Sequence, residues 1–231
     1  MSVSELTTST QNYLKAIWGL TEWSSNSVTA TEVSQKTGLK LSSVSDGMRR
    51  LGQLGLVNYS PYAAIELTDL GRTHALAMVR RHRMIETFLV EVLGYRWDQV
   101  HDEAENLEHA VSDFMIDQLD KKLGFPKRDP HGDPIPSASG AIEVPNAIRL
   151  HMVPIGSKAQ VRRISDADPE LLKFFDEHKI GLDTPLEVLE PQVYSHDFSI
   201  RIRESSKPLG LGIAAAQALY VEIIEPETPT N

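Results

Sequence analysis

Apolar residues recur every three to four positions over 8–23, where Tyr13, Leu14, Ile17, Trp18 and Leu20 share one stripe. That spacing predicts an amphipathic helix, with Thr8 or Ser9 as its cap. A polar break at 24–27 follows, and the run from Val28 to Val33 opens a short helix that Gly38 stops. Ser42 or Ser43 then caps a second short helix bearing Val44, Met48, Leu51 and Leu54, ended by Gly55. Two alternating runs, 56–59 and 64–68, flank a turn at Ser60, Pro61 and Tyr62 and predict a hairpin. Helix, short helix, turn, short helix and ribbon is the order of a winged helix-turn-helix. Its recognition helix would lie in a major groove and expose Lys40, Ser42, Ser43, Ser45, Asp46, Arg49 and Arg50. These hydroxyls and charges suit phosphates and base edges. The same pattern also fits a small α+β domain with no DNA role.

Beyond residue 68 the periodic segments lengthen. Apolar positions from Leu70 to Val92 predict a long helix ended by Gly94. A second, about His101 to Leu123, carries Leu107, Ala110, Val111, Phe114, Met115 and Leu119. Two long helices with apolar faces supply what a dimerisation module needs. Six prolines between 124 and 154 mark an extended linker. Runs at 160–164, 186–189, 198–202 and 218–224 read as short strands and 169–178 as one short helix, which predicts a small β-barrel. The fold class is therefore mostly α with a small β part.

Composition narrows the function. Of 231 residues, 41% are hydrophobic and 24% charged, as in a soluble globular protein. There is no run of 18 apolar residues, so no membrane role is expected, and the first residues lack the layout of a secretory signal. With no cysteine, disulfides, thiolate zinc sites and cysteine nucleophiles are excluded, and a cytoplasmic location is expected. A metal site must use His, carboxylate, amide or carbonyl groups, which favours Mn, Fe, Zn or Mg. The net charge of −9 is unevenly spread. Residues 1–75 balance, and 76–86 add Arg80, Arg81 and Arg83 against Glu86. Residues 91–120 hold nine acids against Arg96. A neutral-to-basic front joined to an acidic middle suggests two jobs.

The acidic middle holds the sharpest chemical signal. On a continuous helix His101, Glu105, Glu108 and His109 would share one face. Carboxylates and imidazoles so crowded repel and desolvate one another unless a cation sits among them. The plainer reading is a solvated acidic stripe. His82 and Glu86 stand four residues apart on the other long helix, ordinarily a surface pair, but antiparallel packing would bring the two ridges together. Asp129-Pro130-His131 in the linker separates two candidate ligands by a rigid proline. His74, His151, His178 and His196 have no comparable company. A metallo-hydrolase would need an open coordination position, of which the sequence gives no sign. There is no Gly-Xaa-Ser-Xaa-Gly elbow and no phosphate-binding glycine loop.

The segments NYLKAIW, RRHRMIETFL, VHDEAENLEHAVSD and DPHGDPIP resemble the diphtheria toxin repressor family, and within it the manganese-responsive branch. The resemblance covers about residues 8–225. It implies a winged helix-turn-helix at 1–74, a helical metal-binding and dimerisation domain with its Pro-rich linker at 75–145, and an SH3-like domain at 150–226. It also implies a homodimer that binds double-stranded operator DNA and represses manganese-uptake genes, not an enzyme. Mn(II) would be the corepressor, with Fe(II), Co(II) or Zn(II) able to enter in vitro. An iron-dependent repressor is the alternative.

The primary metal site implied comprises His82, Glu105, Glu108 and His109, with Asn12 reaching in from the first helix. Glu105 stands where iron-responsive members have cysteine, and a hard carboxylate there favours Mn(II). Asn12 replaces the aspartate frequent in the manganese branch, and Lys15 stands where some members carry a second acid, against a two-manganese cluster. A second site is implied at Glu86, Asp129 and His131, completed by Asp166 or Asp168, with His101 used there instead in some members. Without metal, clustered negative charge would hold the ridge apart and leave the winged domains mobile. With it, two recognition helices would fit successive major-groove turns, roughly 34 Å apart.

Overall fold

The first helix, α1 (Thr8–Glu22), is capped by Thr7, one residue before Thr8 and two before Ser9, because the Thr7 hydroxyl accepts from the Thr10 amide. Leu14 and Ile17 are fully buried on its apolar stripe, each worth about 1.5–3 kcal/mol of burial. α2 (Ala30–Thr37) is set by a reciprocal capping box between Thr29 and Glu32 and stops at Gly38, whose φ of +68° suits glycine. α3 (Leu41–Gln53) starts at Leu41 with Lys40 at its cap and no side-chain cap, so Ser42 and Ser43 lie in its first turn and do not cap it. β1 (Val57–Asn58) and β2 (Glu66–Leu67) pair antiparallel. The computed structural model describes residues 2–24, 26–60, 63–191, 198–202 and 207–224; Pro61 and Tyr62 of the expected turn, and His196, lie outside these.

The chain divides into two compact units, with bounds Met1–Phe88, Asp102–Lys127 and Ile135–Ile142 for the first and Leu89–His101, Arg128–Pro134 and Glu143–Asn231 for the second. In the first, two close backbone approaches fix the helices. A Cβ on Gly47 of α3 would lie 2.4 Å from the Tyr13 ring, so only glycine lets Tyr13 rest on α3 and donate to the Ser43 carbonyl at 3.2 Å. A Cβ on Gly71 would fall 1.8 Å from the Leu56 carbonyl oxygen. Gly71 belongs to α4 (Asp69–Glu91), whose first turn is also held by the Thr68 hydroxyl accepting from Gly71 N.

The second long helix of the sequence reading is broken in two. α5 (Val100–Leu107) ends before Glu108, and α6 (Asp113–Lys122) starts afresh where the Ser112 hydroxyl accepts from Met115 N. Serine bonded to its own downstream amide competes with helix continuation, which is why the break falls there.

In the second unit the strands are β3 (Ile148–Arg149), β4 (Lys158–Ile164), β5 (Pro185–Leu189), β6 (Phe198–Ile202), β7 (Leu209–Leu211) and β8 (Leu219–Ile224). They form one sheet in the order β3-β8-β4-β5-β6-β7. The four expected strand runs are all strands, except that Ala218 ends a helix. Among the described residues the sheet stays open, not the closed barrel those runs suggested. Its edge strands, two and three residues long, offer little to pair. α7 (Pro169–Glu177) and an alanine-rich α8 (Ile213–Ala218) pack with the sheet around Val161, Phe175 and Leu219. Gly132, at φ +93°, lets the 129–134 segment lie against β4, since a Cβ there would be 2.1 Å from the Arg162 carbonyl oxygen.

Gly71→Ala should lower unfolding free energy by about 3 kcal/mol through this overpacking, read as a fall in the denaturant midpoint. An unchanged midpoint would mean that α4 does not need its seat on Leu56.

Candidate metal centre and DNA-binding face

Glu108 follows α5 directly and its side chain is fully buried (0% exposed). An unpaired carboxylate so placed would cost several kcal/mol, so its partners are the first question. Lys15, from α1, places Nζ 2.6 and 2.8 Å from its two oxygens and 2.6 Å from Glu105 Oε1. His82, from α4, donates Nδ1 to Glu108 Oε2 at 2.6 Å and brings Nε2 to 3.0 Å from Glu86. An imidazole facing carboxylates at both nitrogens holds both protons. Burial pulls the His82 pKa down, but the Glu86 charge and the bonds to Glu108 and Glu86 overcome it and raise it to about 9.

His109 behaves differently. Burial holds its pKa below the ordinary value, so the ring is neutral near pH 7. Its Nδ1 donates to Gln11 Oε1 at 2.6 Å, which leaves the Nε2 lone pair 3.6 Å from Glu108 Oε1. Gln11 is in turn held by donating to the Val3 and Leu6 carbonyls. Gln11 fixes the tautomer of a candidate ligand, as outer-shell partners of metal-bound histidines do. Sequence reasoning missed it, since a glutamine on a helix face carries no signal of a partner 98 residues away.

A divalent cation fits this cluster. One ligand atom each from His82, Glu105 and Glu108 lies within 4.8 Å of the others. Asn12 Oδ1 is buried without a hydrogen-bond partner among the described residues, as a neutral oxygen ligand awaiting a cation would be. The Lys15 ammonium already stands in for positive charge. Set against the expectation that bare negative charge would hold the ridge apart, Lys15 and His82 place positive charge among these carboxylates.

Other expected residues are placed otherwise. Glu86 faces His82, in the first unit. In the second, His101 Nδ1 lies 3.2 Å from Asp166 Oδ2. Burial raises the Asp166 pKa, but the His101 hydrogen bond and the His101, His131 and Arg163 charges outweigh it and hold the carboxyl far below the usual range. Asp168 is exposed and caps α7, accepting from the Glu170 and Leu171 amides, so of the two aspartates it is Asp166 that meets His101. Asp129 Oδ1 closes a turn by accepting from the His131 and Asp133 amides, and His131 Nε2 donates to the Trp97 carbonyl at 2.9 Å.

On α3, Ser42, Ser43, Asp46, Arg49 and Arg50 are exposed, as is Lys40 at its cap; Ser45 is half-buried. Arg49 pairs with Asp46 at 2.8 Å. The arginines that made the front half look basic do not join this face. Arg80, Arg81 and Arg83 are buried and bind Asp120, Asp113 and Glu22.

A short helix presented on a winged scaffold, with an oxygen- and nitrogen-rich cation seat against the same α1 that supports it, defines a metal-responsive DNA-binding regulator. Three family descriptions match in chain order: the iron-dependent repressor N-terminal DNA-binding domain over 5–65, the iron-dependent repressor metal-binding and dimerisation domain over 68–137, and the FeoA domain over 148–223. The iron-dependent repressor IdeR of Mycobacterium tuberculosis is 32% identical over 169 residues, 69% of this chain and 72% of its own. The diphtheria toxin repressor of Corynebacterium glutamicum is 28% identical over 200 residues, covering 82% and 87%. A solved structure described as a manganese-dependent transcriptional repressor in complex with manganese superposes with a TM-score of 0.88 at 48% identity, over 93% of this chain and 100% of that one. The manganese regulator SloR gives 0.77 at 31% identity over 95% and 100%. The chain belongs to the iron-dependent repressor and diphtheria toxin repressor family of metal-dependent transcriptional repressors, which are DNA-binding regulators and not enzymes.

Two outcomes are expected. In the metal-free chain, NMR titration of the His82 ring should give a pKa near 9. Because that value is raised, the ion pairs of His82 stabilise fully below about pH 6.5 and their contribution fades as pH rises through 9. Arg49→Ala or Arg50→Ala should weaken DNA binding and reduce the salt slope by about one for a lost phosphate contact. An unchanged slope would move that arginine off the interface.

Proposed function

We propose that this chain is a manganese-responsive repressor that binds operator DNA as a cytoplasmic homodimer and controls manganese-uptake genes. The observation that carries the reading is the seat formed by Glu105, Glu108 and His82, with the Gln11-oriented His109 beside Glu108; the orphaned Asn12 oxygen, one helical turn before Lys15, is a further candidate ligand. These five side chains would hold the ion: Asn12, His82, Glu105, Glu108 and His109. When bound, manganese supplies a compact double positive charge with a preference for oxygen and nitrogen donors. Glu105 is a carboxylate and not a thiolate, which supports manganese over iron, and so does the 48% identity to a repressor solved with manganese. The domain division proposed is winged helix at 1–74, metal-binding and dimerisation at 75–145 and SH3-like at 150–226. Of the second ligand set, Glu86, Asp129, His131, His101 and Asp166 remain proposed members, and the reading needs only residues of the first unit.

α1 connects seat and DNA face. Lys15, one turn after Asn12, reaches the seat, while Tyr13 is fitted against Gly47 and Ser43 of α3. Whatever fixes α1 at the seat thereby fixes the recognition helix. A ligand preferring that arrangement shifts the protein toward its DNA-competent state, and DNA must tighten ligand binding by the same factor.

Mn(II) should raise operator affinity on the order of 10–100-fold over the chelator-treated protein, within the usual range of such couplings. Fe(II) under anaerobic conditions should do less. Glu108→Gln should remove the stimulation while circular dichroism stays unchanged. Equal operator affinity with and without metal would refute the proposal.

A further inference from the structure

Lys15 occupies the centre of the seat. Its ammonium reaches Glu105 Oε1 and both oxygens of Glu108 within 2.8 Å and lies 3.4 Å from His82 Nδ1. The Lys15 side chain is 16% exposed and that of Glu108 0%, so this is a half-buried tether and not an exposed surface pair. An ammonium has three donors and no lone pair, so it cannot ligate a metal. It uses the same carboxylate oxygens that a metal at Glu105 and Glu108 would need. A divalent ion seated on those oxygens would repel the ammonium about twice as strongly as the singly charged His82 ring, 3.4 Å from it, would at the same separation. Metal entry and Lys15 retention therefore exclude each other.

We infer that Lys15 is a resident counter-ion that competes with the metal for the Glu105–Glu108 seat, and so sets the metal concentration at which the protein responds. Its second effect follows from its position on α1. In the metal-free chain it ties α1 to the Glu105–Glu108 segment, so α1 is already tethered before metal arrives. Metal exchanges a singly charged tether for a doubly charged one and releases the lysine. By linkage, whatever stabilises the metal-free form over the loaded one weakens metal binding by the same factor. This inference rests on the proposed function only in placing the metal at this seat.

The test uses the full chain with Lys15→Met, which keeps the length and loses the charge, and Lys15→Arg, which keeps the charge. Lys15→Gln gives the same reading should the methionine variant fail to fold. Mn(II) affinity is measured by titration calorimetry, and amide hydrogen exchange of α1 is followed in the metal-free proteins. The neutral variants should bind Mn(II) at least tenfold more tightly, and Lys15→Arg should stay within about threefold of the parent. Without metal, α1 amides should exchange about tenfold faster in the neutral variants only. Unchanged or weaker Mn(II) binding in the neutral variants overturns the competition, and unchanged α1 exchange overturns the tether. If Mn(II) binding to the parent survives Glu108→Gln, the proposed metal seat fails instead, while the metal-free exchange still judges Lys15 by itself.

Discussion

A carboxylate buried as deeply as Glu108 cannot stand alone, and the first unit is arranged around that constraint. Removing an ionised carboxyl from water costs several kcal/mol even after relaxation, which no single hydrogen bond recovers. The chain answers with an ammonium from α1 and an imidazolium from α4, so two helices are drawn to one point by charge. The demand is for positive charge at a place, and it does not specify the source. Under the proposed competition, a regulatory ion would enter by replacing a partner the protein already supplies.

The same constraint explains the arginines of α4. Arg80, Arg81 and Arg83 are consecutive or nearly so, and each leaves the helix toward a different acid: Asp120 and Asp113 on α6 and Glu22 at the end of α1. They serve as internal struts. Bidentate geometry at Glu22, with bonds of 2.9 and 2.5 Å, makes Arg83 the firmest link between α1 and α4 outside the cation seat.

Local pattern made the winged unit legible in the sequence. α2 carries its capping box and its stop at Gly38, and β1 and β2 pair within the two alternating runs that flank Pro61 in the sequence. The break at Glu108 was not legible, because Leu107, Ala110 and Val111 keep the helical period across it and only Ser112 opposes continuation. Crowded charge on the two ridges drew attention to Glu105, Glu108 and His82, and the family resemblance joined them into one expected site. Lys15 was noted as standing where relatives carry an acid, yet its contact with residues 90 and 93 positions away lies beyond any periodicity. The charge balance of 76–86 misled for the same reason: composition counts arginines but does not say which way they point. In the second unit the four main strands read correctly, while the edge strands were too short to show a pattern and Ala218, which ends α8, was read into the last strand.

The close fit of Tyr13 over Gly47 makes α1 and α3 travel as a rigid pair. Orientation is then the only message that passes between them. One side of α1 meets α3 through Tyr13 and the other meets the acids through Lys15. On the proposed reading, substitutions at positions 12 and 15 would act first on metal sensitivity and changes on the outer surface of α3 first on the choice of DNA, each reaching the other only through the linkage that α1 carries.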